Sequence, residues 1–201
     1  MVPCAPDIIA AADASKEGMG GFWLISPTPA NPIQQHFLWQ SPFLSSIQSQ
    51  LLTPDNPHDT LTSSDLELTA LLVGATLAAT SQPILHPHIL IASDNIPGVS
   101  WVNKGSTTSR AAHAFLLHQL AQLRHANPFT LSAVFIPGST KPLADCWSRS
   151  FHTMDSDFLI HLKSTYHMQP YWKLALPPTK LLTSLIGGYA CFFVFSLKIM
   201  E

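Results

Sequence analysis

Two apolar runs, Ile8-Ile9-Ala10-Ala11-Ala12-Asp13 and Ile89-Leu90-Ile91-Ala92-Ser93-Asp94, share one design, and that repetition limits the folds open to the chain. Neither run alternates polar with apolar residues, the pattern of a strand covered on both faces. Each ends in an aspartate. Between them Thr62 to Thr80 is rich in Leu, Ala and Val, holds no proline and stops before Pro83. That stretch predicts a helix of about four to five turns, with Ser63, Ser64 or Asp65 available to cap it. A strand, a helix and a second buried strand suggest a crossover with parallel pairing, which would set Asp13 and Asp94 side by side at one sheet edge.

The remaining segments build outward from this unit. The Gly-rich turn at Gly18 to Gly21 and the run Phe22-Trp23-Leu24-Ile25 make the second arm of a hairpin, ended by Pro27 to Pro32. Gln34 to Gln40 supplies a third strand and completes an antiparallel meander. Residues 41–61 are polar and proline-marked, a loop with room for a short turn of helix. After Asp94, Asn95-Ile96-Pro97-Gly98 breaks the strand and Val99 to Asn103 forms a short helix. Ala111 to Ala126 is amphipathic, with Phe115, Leu116, Leu120 and Leu123 as its core face. Thr130 to Ile136 reads as a fifth strand, and Leu143 to Arg149 as a last helix. The expected fold is α/β, a five-stranded mixed sheet with three antiparallel strands then two parallel ones, flanked by helices.

With 201 residues, 46% of them hydrophobic, the chain can bury one sizeable core. Residues 1–152 form the expected domain, 153–180 a helical and proline-containing extension, and 181–201 a hydrophobic tail. Within 181–200 Lys198 is the only charge, and the stretch is long enough to span a bilayer. Gly187-Gly188 and the polar Thr183, Ser184 and Ser196 argue against that use. The expectation is an intracellular protein, in cytoplasm or nucleus, with membrane anchoring by 181–200 as the lesser alternative.

Four carboxylates fall at the ends of the two buried strands and the starts of two helices: Asp13, Glu67, Asp94 and Asp145. Asp13 alone either caps a turn or holds a cation, and Glu67 is favoured by the helix dipole in any case. Functional groups of α/β sheets gather where strands end and helices begin. Acids brought together there repel, and a hard divalent cation with oxygen ligands relieves the repulsion. Mg²⁺ suits such a site, and two ions about 4 Å apart can activate water and stabilise a leaving oxygen in phosphodiester hydrolysis. Charge is sparse, 10 Lys plus Arg against 12 Asp plus Glu, net -2. The chain therefore lacks the basic footprint of an independent nucleic-acid binder.

Other candidates for chemistry are weaker. Cys4, Cys146 and Cys191 have no paired spacing and read as reduced thiols. His86 with His88, and His113 with His118, lack a third ligand motif, so surface or packing roles fit them better. Gly18 to Gly21 is not a phosphate loop, since no Lys-Ser/Thr pair follows it. Trp101 could stack on a base, although a core position suits it better.

The ordered set carries a resemblance. Asp-Ala-Ser with Gly-Met-Gly-Gly, then Ser-Asp-Leu-Glu-Leu, then Ser-Asp-Asn, then Ile-Pro-Gly with Leu-Ala-Asp-Cys-Trp-Ser-Arg resembles the RNase H domain of retrotransposon reverse transcriptases. The likeness is greatest to elements with tyrosine recombinases, the DIRS type, and their relatives. It covers residues 7 to 150, with an echo in Tyr171-Trp172-Lys173-Leu174. It implies hydrolysis of the RNA strand of an RNA–DNA hybrid with two Mg²⁺ ions, Mn²⁺ being possible, and a polymerase domain encoded upstream. Asp13 matches the metal-bridging aspartate, Glu67 the glutamate of the first long helix, Asp94 the aspartate closing the fourth strand, and Asp145 the acid of the last helix. Water would be the nucleophile, leaving a 3′-hydroxyl and a 5′-phosphate. Ser15, Asn95, Lys104, Arg110 and Arg149 are the candidate contacts to nucleic acid.

Two positions depart from the family pattern. Ser139 stands where cellular enzymes carry a mobile histidine, and Lys141 where retroelement relatives often have Asn. The Ser139 region, the low basic charge and the hydrophobic tail support a rival reading: a decayed or co-opted remnant that folds and can bind nucleic acid without cleaving it. A transposase or integrase nuclease of the same superfold ranks last, because its Asp, Asp, Glu order differs from the order here.

Overall fold

The computed structural model describes residues 5–27, 32–54, 61–81, 84–107, 111–152 and 172–184, together with 156, 157, 159, 160 and 164. Strand β1 (Ile8–Ala14) pairs antiparallel with β2 (Gly18–Ile25), and β2 with β3 (Gln35–Pro42). A short helix α1 (Ser45–Gln48) occupies the proline-marked loop. Helix α2 (Ser63–Thr80) then crosses over to β4 (His88–Ser93), which lies parallel to β1. Helices α3 (Ile96–Lys104) and α4 (Ala111–Ala126) precede β5 (Thr130–Phe135), parallel to β4. A 3-10 turn at Gly138–Thr140 leads into α5 (Pro142–Trp147), and β6 (Trp172–Leu174) closes the sheet.

The sheet order is β5-β4-β1-β2-β3-β6. Three antiparallel strands followed by two parallel ones, flanked by helices, is the expected architecture. The strand number is corrected from five to six: Trp172–Leu174 adds to the free edge of β3 in parallel register, with His36 opposite Trp172. The Ala175 amide donates to the Leu38 carbonyl at 2.7 Å to close that edge. Leu181 opens the expected tail yet belongs to the main core; beyond residue 184 the tail lies outside the described residues, as does most of the expected helix at 154–170. Among the described residues no helix is long and apolar enough to cross a membrane.

Successive side chains of a strand point to opposite faces, and β3 shows what covers each. Phe37 and Trp39 join the main core, beneath α2, whereas Leu38 packs with Trp147 of α5 in a second cluster on the other face. Trp23 stacks on Phe37 at 4.8 Å. Helix α2 is buried nearly all round, from Leu66 to Ala78, because the sheet lies on one side and α3 and α4 on the other. A helix so enclosed has no need of a polar stripe. Its cap is Thr62, one residue earlier than the candidates in the sequence, and Asp65 Oδ2 accepts from both the Thr62 amide and its hydroxyl.

Strands β4 and β5 are each pinned by a side chain. The Asp7 carboxylate accepts from the His88 amide at 2.8 Å, which starts β4 beside β1. Asn103, on α3, gives and takes a hydrogen bond of 2.8 Å with the Ala133 backbone of β5, so the outward groups of that edge residue are satisfied without a further strand.

Candidate metal centre

The β1–β4 register runs from Ile8 opposite Ile89 to Ala11 opposite Ala92. Two steps further along each chain lie Asp13 and Asp94. Both strands run in the same direction, so the two aspartates reach the same carboxyl edge of the sheet. Glu67, in the second turn of α2, joins them from the helix laid over that edge. The ligand oxygens of Asp13, Glu67 and Asp94 lie within 4.8 Å of one another, and this is the one such group among the described residues.

Each member is held differently. Asp13, only 3% exposed, accepts from the Ser148 hydroxyl at 2.6 Å through Oδ2 and from the Lys141 ammonium through Oδ1. Asp94 is partly open to solvent and takes the same ammonium at 2.8 Å. Its other oxygen faces Gly138, where a Cβ would stand 2.5 Å from Asp94 Oδ2. Only glycine lets the turn after β5 pass so close to the carboxylate. Glu67 is half-buried, and its Oε2 is shielded from water with no hydrogen-bond partner. Burial first, then the negative charges of Asp13 and Asp94, push its pKa up to about 8, although Lys141 and an Ala14 backbone hydrogen bond pull the other way.

Ser148 reaches Asp13 because α5 ends against β2. Gly20 pairs with Asp13 across the hairpin, and a Cβ on Gly20 would meet the Trp147 backbone at 2.8 Å. The Gly-Met-Gly-Gly stretch thus serves the close approach of α5 as well as the hairpin. Sequence reasoning missed Ser148 as part of the site. Its nearest signal was position, one turn beyond the Ala-Asp pair of the last helix.

Asp145 is not one of the three acids that converge within 4.8 Å. Its Oδ1 accepts from Arg149 at 2.8 and 3.0 Å, an exposed pair one helical turn apart. The other candidate contacts are placed as follows. The Ser15 hydroxyl donates to the Ser148 carbonyl at 2.6 Å and accepts from the Glu17 and Gly18 amides. Asn95 caps α3 through Gly98 and donates to Ser64. Lys104 is exposed in the last turn of α3. Arg110 lies outside the described residues. Trp101 packs against the main core, and His88 meets the Ser132 hydroxyl, in keeping with packing roles.

Three carboxylates converging with an orphaned, shielded oxygen fit a hard divalent cation by donor chemistry. Lys141 is the feature that complicates the fit. It is 2% exposed, and its ammonium bridges Asp13 and Asp94 while also donating to the Ala12 carbonyl at 3.2 Å. Burial would lower its pKa, but the hydrogen bonds to the two aspartates outweigh this and leave it above the ordinary lysine value. The site as it stands is partly neutralised by its own cation.

The chain matches no protein-family model, and no curated protein matches it. Among solved structures it is similar to RNase H1 from the halophilic archaeon Halobacterium salinarum, at 15% identity, over 70% of this chain and 92% of that one, with a TM-score of 0.45. LC11-RNase H1 in complex with an RNA/DNA hybrid is similar at 14% identity, over 70% and 92%, with a TM-score of 0.45. The protease-reverse transcriptase of Prototype Foamy Virus is similar at 15% identity, over 74% of this chain and 21% of that one, with a TM-score of 0.45.

Proposed function

We propose that this chain is a metal-dependent ribonuclease that hydrolyses the RNA strand of RNA–DNA hybrids, as the RNase H part of a retroelement reverse transcriptase. The observation that carries the reading is the meeting of Asp13, Glu67 and Asp94 at one sheet edge, from three elements far apart in sequence and in the order that the family resemblance requires. A polymerase encoded upstream and an intracellular setting belong to the same reading. So does a grip on nucleic acid through Ser15, Asn95, Lys104, Arg110 and Arg149.

Asp13, Glu67 and Asp94 would hold Mg²⁺ or Mn²⁺, with Asp145, whose Arg149 contacts both fall on Oδ1, as the fourth candidate ligand. When bound, two such ions would polarise the scissile phosphate, activate the attacking water and stabilise the leaving oxygen. The chain's own residues prepare that chemistry. Ser148 fixes one oxygen of Asp13 and so orients the other toward the cluster. Asp94, at the solvent-open side, is the acid a phosphate would meet first. Glu67 must give up its proton to serve as a ligand, so loading is favoured by raising the pH toward about 8.

A second reading, a remnant that binds without cleaving, is favoured by the ammonium of Lys141 between the two aspartates. A labelled RNA–DNA hybrid incubated with the protein and Mg²⁺ separates the two. The nuclease reading expects cleavage of the RNA strand that falls roughly a hundredfold or more in Asp94→Asn, the scale of removing one transition-state electrostatic contact. Cleavage that survives the substitution, or none by the unaltered chain in Mg²⁺ or Mn²⁺, overturns it.

A further inference from the structure

We propose that Lys141 is a built-in counter-cation of the carboxylate cluster, so that a divalent ion enters only in exchange for its ammonium group. The proposal rests on the metal-site reading and adds a competitor within the same chain. Geometry makes the two occupants exclusive. An ammonium has three hydrogens to donate, and Lys141 has a partner for each: the Ala12 carbonyl, Asp13 Oδ1 and Asp94 Oδ1. A divalent cation held by Asp13 and Asp94 would draw on the same two carboxylates, with ligand oxygens at about 2.0 to 2.5 Å. Two cations sharing them would repel strongly in a site shielded from water.

The lysine is also placed so that it can leave. Its backbone lies between the 3-10 turn at Gly138–Thr140 and the first residue of α5, outside the hydrogen-bonded sheet. Swinging its four-carbon stem outward breaks no strand pairing. Remaining inside without the aspartates is costly, because a buried ammonium needs its partners. The metal-free site is thus closed by an internal salt bridge, and metal affinity is set by the difference between two cations and not by the carboxylates alone.

The test is a Mn²⁺ titration of the full chain, followed by the resonance of free Mn²⁺, on the unaltered protein, Lys141→Met and Lys141→Gln. The variants are expected to bind Mn²⁺ about tenfold or more tightly, a factor equivalent to roughly 1.4 kcal/mol. Their metal-free melting temperatures are expected to fall and to be raised by Mn²⁺ more than that of the unaltered chain. A second measurement needs no variant: acetylation of lysines by an amine-reactive reagent, read by mass spectrometry. Lys141 is expected to resist labelling without metal and to become reactive in saturating Mn²⁺. Equal or weaker Mn²⁺ binding by the variants, or Lys141 still protected with Mn²⁺ bound, overturns the proposal and leaves the metal site standing. Absence of Mn²⁺ binding by every form overturns both.

Discussion

Glu67 bears the strain of the carboxylate cluster. Its pKa rises from 4.5 to about 8, chiefly by burial and then by the charge of Asp13. Between those values the folded chain keeps a proton that the unfolded chain has released. Stability therefore falls as pH climbs through this window, at up to about 1.4 kcal/mol per unit, and the whole penalty is present above the folded value. Glu67→Gln, which carries no charge at any pH, should melt increasingly above the unaltered protein between pH 5 and pH 9 in the absence of metal. Saturating Mg²⁺ should shrink that divergence, since the charged carboxylate is then the liganded form. Melting curves that stay parallel across the range would contradict the assignment. Asp13 and Asp94 were legible in the sequence because each closes an apolar run, and Glu67 because it stands near the start of an uninterrupted helical stretch. The direction of Lys141 was not, since a long flexible side chain after a turn leaves no periodic trace of where its end points.

At the scale of elements, the turn between β5 and α5 carries two duties: it delivers Lys141, and it passes Gly138 close beside Asp94. Gly138→Ala places a methyl group where Asp94 Oδ2 now lies, so either the carboxylate rotates or the turn retreats. Expected is a several-fold loss of Mn²⁺ affinity with stability changed by about 1 kcal/mol or less. A titration indistinguishable from that of the unaltered chain would show that the turn has slack to spare. The elements flanking the site were readable because their signals are local. The apolar runs of β1 and β4, the uninterrupted Leu and Ala of α2, and the prolines and glycines between them each carry their own physics. Boundaries shifted where hydrogen bonds decided them: Thr62 caps α2 through Asp65, and Asn95 caps α3 so that it starts at Ile96, three residues ahead of Val99, the position sequence favoured. Asp145 shows the converse. It stands one helical turn from Arg149 and pairs with it, where the sequence reading set the two to separate tasks.

The molecule as a whole is closed by its smallest strand. Three residues carry no period from which a partner can be inferred, and β6 finds β3 through tertiary packing: Trp172 sets its edge on Phe22 at 6.1 Å and tilts over His36 at 4.9 Å. Leu174 joins Leu38 and Trp147 in the cluster beneath α5. Strand β6 thereby supports the helix whose end positions Ser148 on Asp13, which ties residues 172–174 to the carboxylate cluster. Trp172→Ala should lower unfolding free energy by roughly 2 to 3 kcal/mol, less than a fully buried tryptophan because this one is only half enclosed. Urea denaturation monitored by tryptophan fluorescence and by far-ultraviolet circular dichroism measures it. Ending the chain at residue 152 should do more, exposing the β3 edge to pairing between molecules and loosening α5, so that Mn²⁺ binding weakens along with stability. If the shortened chain instead melts at the same temperature and holds Mn²⁺ equally well, the second cluster is an ornament on a domain already complete, and the support of Ser148 must come from β2 alone.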